Sequence, residues 1–266
     1  MRYLIPFIFF FTNFLMGQDL NVSSGAIAVE DGYDYLVTNR EPFPITVLLK
    51  FKLKNLETSR DDLEFTIPPE SKDLKVLELR MKRPAAYGYS ASASYIPGDQ
   101  STQPDDYAYQ LPYARNSSYR VSQGYDGKST HRGKYAIDFS MPEETPIHAS
   151  RGGIVLEVVA SNSKGCAQPE CLDYGNHIRI LHKDGTIGEY THLRFGGSLV
   201  AKGDLVEPNQ HIGYSGNTGW STGPHLHFAV FKPSFNSRSY TIPVRFRLDN
   251  VTIVDQLEEQ QYYRKP

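Results

Sequence analysis

The sequence predicts an all-β protein, with a small N-terminal β domain followed by a C-terminal domain of antiparallel strands. Short segments alternate between apolar and polar residues, turn-forming residues separate these segments, and helical patterning is weak. The 266 residues include 21 glycines and 17 prolines, which favours frequent turns and few long helices. A chain of this length can hold one large or two modest domains.

Composition and charge argue against two classes of protein. Hydrophobic residues make up 39% of the chain and charged residues 22%, as is usual for a soluble globular protein and unlike a disordered one. The formal net charge is −2, whereas phosphate binding requires a surplus of Lys and Arg on one surface. We therefore expect no nucleic-acid partner.

Residues 1–17 have the features of an export signal. Arg2 supplies the positive start, an apolar run extends from Leu4 to Leu15, and Gly17 is a small residue at which a signal peptidase can cut. The run is shorter than the roughly 20 apolar residues that span a bilayer. We expect removal of the segment, export to the periplasm or the medium, and no stable membrane insertion afterwards. An uncleaved anchor is the alternative.

Residues 18–118 are expected to form the N-terminal β domain and a connecting ribbon. The segments Ile45–Leu53 and Asp73–Met81 alternate as half-buried strands do. Residues 86–113 mix small, polar and aromatic residues with Pro and Gly, so a ribbon or loop is predicted there. No residue of this domain indicates chemistry.

The expected C-terminal domain, residues 119–247, precedes a tail of residues 248–266. All eight histidines fall between His131 and His227. In the strand predicted for HLHFAV, His225, His227 and Ala229 share one face, and the intervening apolar residues face a core. Two imidazoles on one face favour a metal or proton-transfer site, although a lone strand histidine is usually structural.

Asp138 lies on another predicted strand, where its side chain is expected on the face opposite that of its apolar neighbours Ile137 and Phe139. A carboxylate in such a position needs a positive partner, either a cation or a Lys or Arg side chain. His131 precedes Asp138 by seven residues, across a short turn-like segment, and can reach the same point; a solvated loop position is the alternative.

A hairpin is predicted around Asp184 and Gly185, with alternating runs on both sides. His192 ends its second strand. The remaining four histidines are assigned structural or surface positions: surface or edge positions for His177 and His182, and structural roles for His148 and His211. Cys166 and Cys171, the two cysteines of the chain, are expected to close a small loop as a disulfide outside the reducing cytoplasm.

Taken together, these segments resemble peptidase family M23, the zinc metallopeptidases of the lysostaphin and LytM type, which cut peptides in bacterial cell walls. The likeness covers about residues 111–235. It joins YAIDF with a preceding histidine, MPEETPI, GGIV, DGTIGEYTHL, GDLVEPNQHIGYSGNTG and GPHLHF in the order of the family. Two departures are visible: the first histidine and the aspartate are seven residues apart, and Glu144 stands where glycine is common.

The resemblance implies a LytM-type β fold, one Zn²⁺ per chain, and hydrolysis of amide bonds in peptidoglycan stem or cross-bridge peptides by a metal-activated water. Its residue roles are zinc ligation by His131, Asp138 and His227, catalysis by His192 and His225, and an active-site lining by Tyr125.

The residue types agree with that chemistry. Two imidazoles and one carboxylate leave a tetrahedral ion one open position, as in catalytic zinc sites. We expect His225 to act as general base, and His192 to stabilise the oxyanion or protonate the leaving amine, although the two roles can be exchanged. The alternatives are a noncatalytic protein that binds the wall or activates a hydrolase, and a zinc protease acting on secreted proteins.

Overall fold

The computed structural model describes residues 20–235 and 240–266, together with the backbone of Thr12 and Asn13. The predicted signal segment therefore lies almost entirely outside the described residues. Within them, one short 3-10 helix, Pro169–Tyr174, accompanies the strands, which confirms the all-β prediction. No helix in the described part of the chain is long and apolar enough to cross a membrane.

The described residues divide into two compact units: the first comprises those up to Ser101 together with Ser234 and Phe235, and the second comprises Thr102–Pro233 and Tyr240–Pro266. The boundary predicted between residues 118 and 119 lies inside the second unit, as does the predicted tail. Leu111 and Tyr113 are fully buried in the core of this unit, and the last strand of the chain joins its main sheet. Apolar burial therefore extends the unit beyond the segment that carries the motifs.

The first unit consists of two four-stranded sheets, ordered β1-β8-β4-β6 and β2-β3-β7-β5. An edge-to-face contact between Tyr35 and Phe51, with ring centroids 5.1 Å apart, joins the two sheets. The strands are β1 (Thr12–Asn13), β2 (Val22–Val29), β3 (Gly32–Asn39), β4 (Ile45–Lys54), β5 (Leu56–Thr58), β6 (Glu64–Ile67), β7 (Ser71–Met81) and β8 (Gly88–Pro97).

The two strands predicted in this unit are present as β4 and β7. The prediction of a ribbon or loop over residues 86–113 was wrong for its first part, because β8 pairs with β4 along ten consecutive residues. β8 has five consecutive small residues between Tyr89 and Tyr95, and Ala93 and Ile96 are buried. A long neighbouring strand thus imposes extended structure on a segment with weak apolar patterning.

The second unit is built on a nine-stranded sheet, ordered β18-β13-β15-β16-β21-β11-β10-β25 with β22 beside β21. Smaller sheets are β12-β19-β17, β14-β20 and β24-β23-β9. The strands are β9 (Ala108–Gln110), β10 (Ser118–Gln123), β11 (Ala136–Ser140), β12 (Pro146–His148), β13 (Gly153–Val159), β14 (Gly165–Cys166), β15 (His177–Leu181), β16 (Ile187–Thr191), β17 (Leu193–Ser198), β18 (Leu205–Val206), β19 (His211–Ser215), β20 (Gly219–Trp220), β21 (His225–Lys232), β22 (Tyr240–Thr241), β23 (Arg245–Arg247), β24 (Ile253–Val254) and β25 (Tyr262–Arg264).

One face of the nine-stranded sheet is apolar and buried. On β21 it presents Leu226, Phe228 and Val230, and on β11 it presents Ile137 and Phe139, as their alternation predicts. Each such fully buried side chain stabilises the fold by about 1.5–3 kcal/mol. The core therefore fixes the direction in which the intervening polar side chains of β11 and β21 point.

The predicted hairpin is confirmed, since β15 and β16 pair antiparallel around Asp184 and Gly185. His182, predicted at the surface or an edge, is instead buried with 3% exposure. Its Nδ1 donates to the Gly152 carbonyl at 2.9 Å, and burial lowers the pKa of its imidazole to about 4. The disulfide between Cys166 and Cys171 is also confirmed.

Glu144 has a backbone conformation that favours glycine. Its φ is +64°, in the left-handed region that costs a non-glycine residue about 1–2 kcal/mol. The side chain is exposed, so it offers no buried contact in compensation. We expect Glu144→Gly to raise the free energy of unfolding by about 0.5–1 kcal/mol, after subtraction of the entropic cost of glycine. Urea denaturation measures the change.

Glu143 provides the matched control, because it is also exposed and its φ is not positive. Glu143→Gly should lower the free energy of unfolding, since glycine only adds entropy to the unfolded chain there. Equal destabilisation by both substitutions would contradict the assignment of strain to Glu144.

Candidate active site

Strand pairing brings the motif residues together on the face of the sheet opposite the core. In the antiparallel register, Asp138 lies directly across from His227, and Ser140 lies across from His225. On the other side of β21, Thr191 pairs with His227, so His192 follows at the end of β16. Directly opposed residues have β-carbons about 4.5–5.5 Å apart, which places their side chains in contact.

His131 reaches this face from the loop between β10 and β11, and it is 1% exposed. Its Nδ1 lies 3.0 Å from the Gly124 carbonyl oxygen. A carbonyl can only accept, so Nδ1 carries a proton, and Nε2 is the ring nitrogen that can bind a metal once it is deprotonated. Backbone carbonyls orient many metal-binding imidazoles in this way.

Three ligand atoms converge: His131 Nε2, Asp138 Oδ1 and His227 Nδ1. Both His131 Nε2–His227 Nδ1 and His131 Nε2–Asp138 Oδ1 are 3.3 Å, and His227 Nδ1–Asp138 Oδ1 is 2.8 Å. Bonds of about 2.0–2.1 Å to a tetrahedral zinc ion place its ligand atoms about 3.3–3.4 Å apart. The donor set and its spacing therefore fit a divalent ion, and these residues form a possible metal site.

The electrostatics of the cluster favour an ionised carboxylate. Burial alone would raise the pKa of Asp138, but hydrogen bonds from His131 and His227 hold it well below its usual range. Burial would likewise lower the pKa of His227, and the hydrogen bond to Asp138 raises it instead. The carboxylate and the two imidazoles can bind a divalent cation once the ring nitrogens that face Asp138 have lost their protons.

Gln123 completes the support of the cluster, and sequence reasoning missed it. A bulge in the β10–β11 pairing after Val121 places Gln123 beside Asp138, and its Nε2 donates to Asp138 Oδ2 at 3.0 Å. Its Oε1 accepts from the N–H groups of Ser129 and Thr130, both at 3.1 Å. Gln123 thus connects the carboxylate to the loop that carries His131. No pattern in the sequence indicates the bulge.

His225 is oriented toward the same cluster. Its Nδ1 donates to the Gly223 carbonyl at 2.8 Å, which leaves Nε2 as an acceptor. Nε2 lies 3.8 Å from Asp138 Oδ1. In this tautomer the nitrogen that faces the possible metal site is the one that can accept a proton, as a general base requires.

His192 lies on the other side of His225. The centroid of its ring is 4.5 Å from that of His225 and 6.0 Å from that of His227. Its Nδ1 donates to the Thr218 carbonyl at 2.7 Å. Burial, together with the neighbouring His225 and His227, lowers the pKa of His192 to about 4. The ring is neutral near pH 7 and turns Nε2 away from Thr218.

Tyr125 is placed differently from the other predicted site residues. Its hydroxyl donates to the Val244 carbonyl and accepts from the Val244 N–H, both at 3.1 Å, and its ring packs edge-on against Tyr135. Both hydrogen-bonding functions of the hydroxyl are thus used by the backbone. The structure does not join Tyr125 to the histidines by hydrogen bonds, and its active-site role stays a prediction.

The remaining histidines have partners elsewhere. His148 and His211 are cross-strand neighbours on β12 and β19, with parallel rings 5.2 Å apart. His177 Nε2 lies 3.0 Å from Glu157 Oε2. Of the eight histidines, those brought together at the possible metal site are His131, His192, His225 and His227.

Comparison with known proteins identifies the same segment. Residues 132–240 match the model of peptidase family M23, a range that begins immediately after His131 and contains the other proposed site residues from Asp138 onward. A metalloprotease of Buchnera aphidicola is 44% identical over 103 residues, which is 39% of this chain and 23% of that protein.

Two further relatives have assigned activities. The peptidoglycan DD-endopeptidase ShyA of Vibrio cholerae is 35% identical over 124 residues, covering 44% of this chain and 26% of the relative. Lysostaphin of Staphylococcus staphylolyticus is 35% identical over 112 residues, covering 42% and 21%. The matches thus span about a quarter of the length of these relatives. Residues 132–240 of this chain are therefore similar in sequence to peptidase family M23.

Proposed function

We propose that this protein is a zinc-dependent endopeptidase that hydrolyses amide bonds in peptidoglycan stem or cross-bridge peptides. The observation that carries the proposal is the convergence of His131 Nε2, Asp138 Oδ1 and His227 Nδ1 within 3.3 Å of one another, beside two imidazoles whose Nδ1 atoms donate to backbone carbonyls. The relatives ShyA and lysostaphin support the choice of substrate.

His131, Asp138 and His227 would hold the ion. A bound zinc ion supplies a Lewis acid for the scissile carbonyl and lowers the pKa of water from about 15.7 to about 7. His225 removes a proton from the attacking water at Nε2, since its Nδ1–H is directed to the Gly223 carbonyl. The proton that His225 takes from the water ends on the leaving amine, either directly or through His192, which is neutral before reaction, receives that proton at Nε2 and in its charged form stabilises the oxyanion.

Mass spectrometry of defined cross-linked muropeptides tests the proposal. The zinc-loaded protein should produce peptides that have gained one water at a stem or cross-bridge amide. A chelator should stop the reaction, and added zinc should restore it. Protein with one zinc per chain that leaves both intact peptidoglycan and muropeptides unchanged would overturn the proposal. Cleavage of Gly-rich or elastin-like peptides alone would indicate a protease acting on secreted proteins.

A substrate outside the cytoplasm requires an exported enzyme, and the charged start and apolar run of residues 1–17 support export. We propose that the mature protein begins near Gln18 in the periplasm or the medium. N-terminal sequencing of the mature protein checks this, and an intact Met1 would contradict it.

A further inference from the structure

His192 is held in an unfavourable backbone conformation. Its φ is +67°, in the left-handed region where the β-carbon crowds the following carbonyl. Such residues persist where the surroundings over-determine them, and they cluster at functional sites. The groups that hold His192 in this conformation are therefore candidates for a role in the reaction.

Asn176 holds the two residues that follow His192. Its Nδ2 lies 3.2 Å from both the Leu193 and the Arg194 carbonyl oxygens, and its own carbonyl accepts from the Leu193 N–H at 3.1 Å. Asn176 is fully buried and is also joined to Asn162 through both side-chain atoms. Three hydrogen bonds from Asn176 thus hold the two residues that follow His192.

Thr218 holds the ring of His192 and the backbone of the residue that follows it, Leu193. Its Oγ1 donates to the Leu193 carbonyl at 2.7 Å and accepts from the Asn176 N–H at 3.0 Å. Its main-chain carbonyl accepts from His192 Nδ1. Thr218 is 5% exposed, so water cannot readily replace these partners.

The glycine that follows Thr218 permits this arrangement. Gly219 has a φ of +82°, and a β-carbon there would lie 2.6 Å from the Gly175 Cα. The two backbones can therefore approach closely only without a side chain at residue 219. This contact brings the turn containing Asn176 against the turn containing Thr218.

We propose that Asn176 and Thr218 are positioning residues that hold His192 in its left-handed conformation and in the Nδ1–H tautomer, with Nε2 facing the reacting atoms. This inference rests on the proposed function. Within the described structure, the recorded side-chain hydrogen bonds of Asn176 and Thr218 do not involve the three candidate metal ligands. Their effect on the reaction passes through His192.

Thr218→Val tests the proposal, because valine keeps the shape of threonine and removes the hydroxyl. We expect kcat to fall about 10- to 100-fold, with KM and zinc content nearly unchanged. Thr218→Ser restores the hydroxyl and should recover kcat to within about 3-fold of the native protein. Asn176→Ser, too short to reach both carbonyls, should reproduce the loss and serves as a second variant if Thr218→Val does not fold.

The ¹⁵N–¹H NMR spectrum of His192 supplies a readout that needs no substrate. The native protein should show the Nδ1–H tautomer, and Thr218→Val should show loss of that single tautomer. A kcat within about 3-fold of native with an unchanged tautomer, or equal loss in Thr218→Ser, would overturn the inference. If the tautomer changes but the native protein hydrolyses no muropeptide, the positioning stands and the proposed function fails.

A double-mutant cycle separates positioning from a general structural role. In a His192→Ala background, Thr218→Val should leave the residual rate unchanged within about 2-fold, because the residue it acts through is gone. A further fall of 10-fold or more in that background would also overturn the inference, since it would show a route that bypasses His192.

Discussion

Asp138→Asn is expected to abolish zinc binding at physiological concentrations and to reduce muropeptide hydrolysis to the level left by a chelator. The substitution preserves the volume of the side chain but removes the anionic oxygen that lies 2.8 Å from His227 Nδ1 and 3.3 Å from His131 Nε2. Loss of a supporting partner of a ligand costs about 10- to 100-fold in metal affinity, so loss of a ligand should cost more than about 100-fold.

Two measurements check this result independently of activity. Elemental analysis after dialysis should find one zinc per native chain and almost none in the variant. At a free zinc concentration of 100 times the Kd, the native protein should gain about 2.7 kcal/mol in free energy of unfolding, and the variant should gain little. Retention of stoichiometric zinc by Asp138→Asn would show that this carboxylate is not a ligand.

Asp184→Asn is the matched control, since it changes a second buried aspartate of the same unit. Asp184 lies in the β15–β16 turn and pairs with Arg151 at 2.9 Å. This variant should lose stability, because the buried guanidinium loses a charged partner, but it should retain its zinc and its hydrolytic rate per folded molecule. Metal loss in both variants would point to a general weakening of the fold.

His225→Ala is expected to retain zinc and to lose about 10²- to 10⁴-fold in kcat, with a small change in KM. Its Nε2 faces the cluster but is not among the three converging ligand atoms, so its contribution lies in proton transfer. Loss of an interaction made only in the transition state lowers kcat and kcat/KM together. Steady-state kinetics on a defined muropeptide, with zinc content measured on the same sample, give both quantities.

His177→Ala is the matched control for His225. It also removes an imidazole from the polar side of the same sheet, but the partners of His177 in the described part of the chain are Glu157 and the Gly175 carbonyl, neither of which belongs to the cluster. Its kcat should stay within about 3-fold of native. An unchanged kcat in His225→Ala would remove it as the base. Full biological effect of a His192→Ala variant would favour a noncatalytic wall-binding or hydrolase-activating protein.

The predicted faces of β11 and β21 agree with the structure because they depend only on local geometry. Side chains alternate along a strand, so the buried positions of Phe139 and Phe228 require Asp138 and His227 to face away from the core. Long-range information was not needed for this step. The hairpin around Asp184 and Gly185 was also predicted correctly, because turn formation depends on adjacent residues.

The errors arose where a distant segment decides the environment. His182 occupies a strand end that reads as an edge, but it is buried and donates to the carbonyl of Gly152, thirty positions earlier. The small-residue segment of β8 acquires its extended structure from β4. The pattern of one segment does not show which distant segment will contact it, because the energy of strand pairing depends on which strands become neighbours.

Alternation and the order of motifs were sufficient to predict the likeness to peptidase family M23 and the faces on which Asp138, His225 and His227 lie, because these properties depend on spacing along the chain. The register that opposes Asp138 to His227, the bulge that turns Gln123 toward the carboxylate, and the contact of Asn176 and Thr218 around His192 arise only on folding. They join residues up to 89 positions apart, and they depend on how the whole core packs.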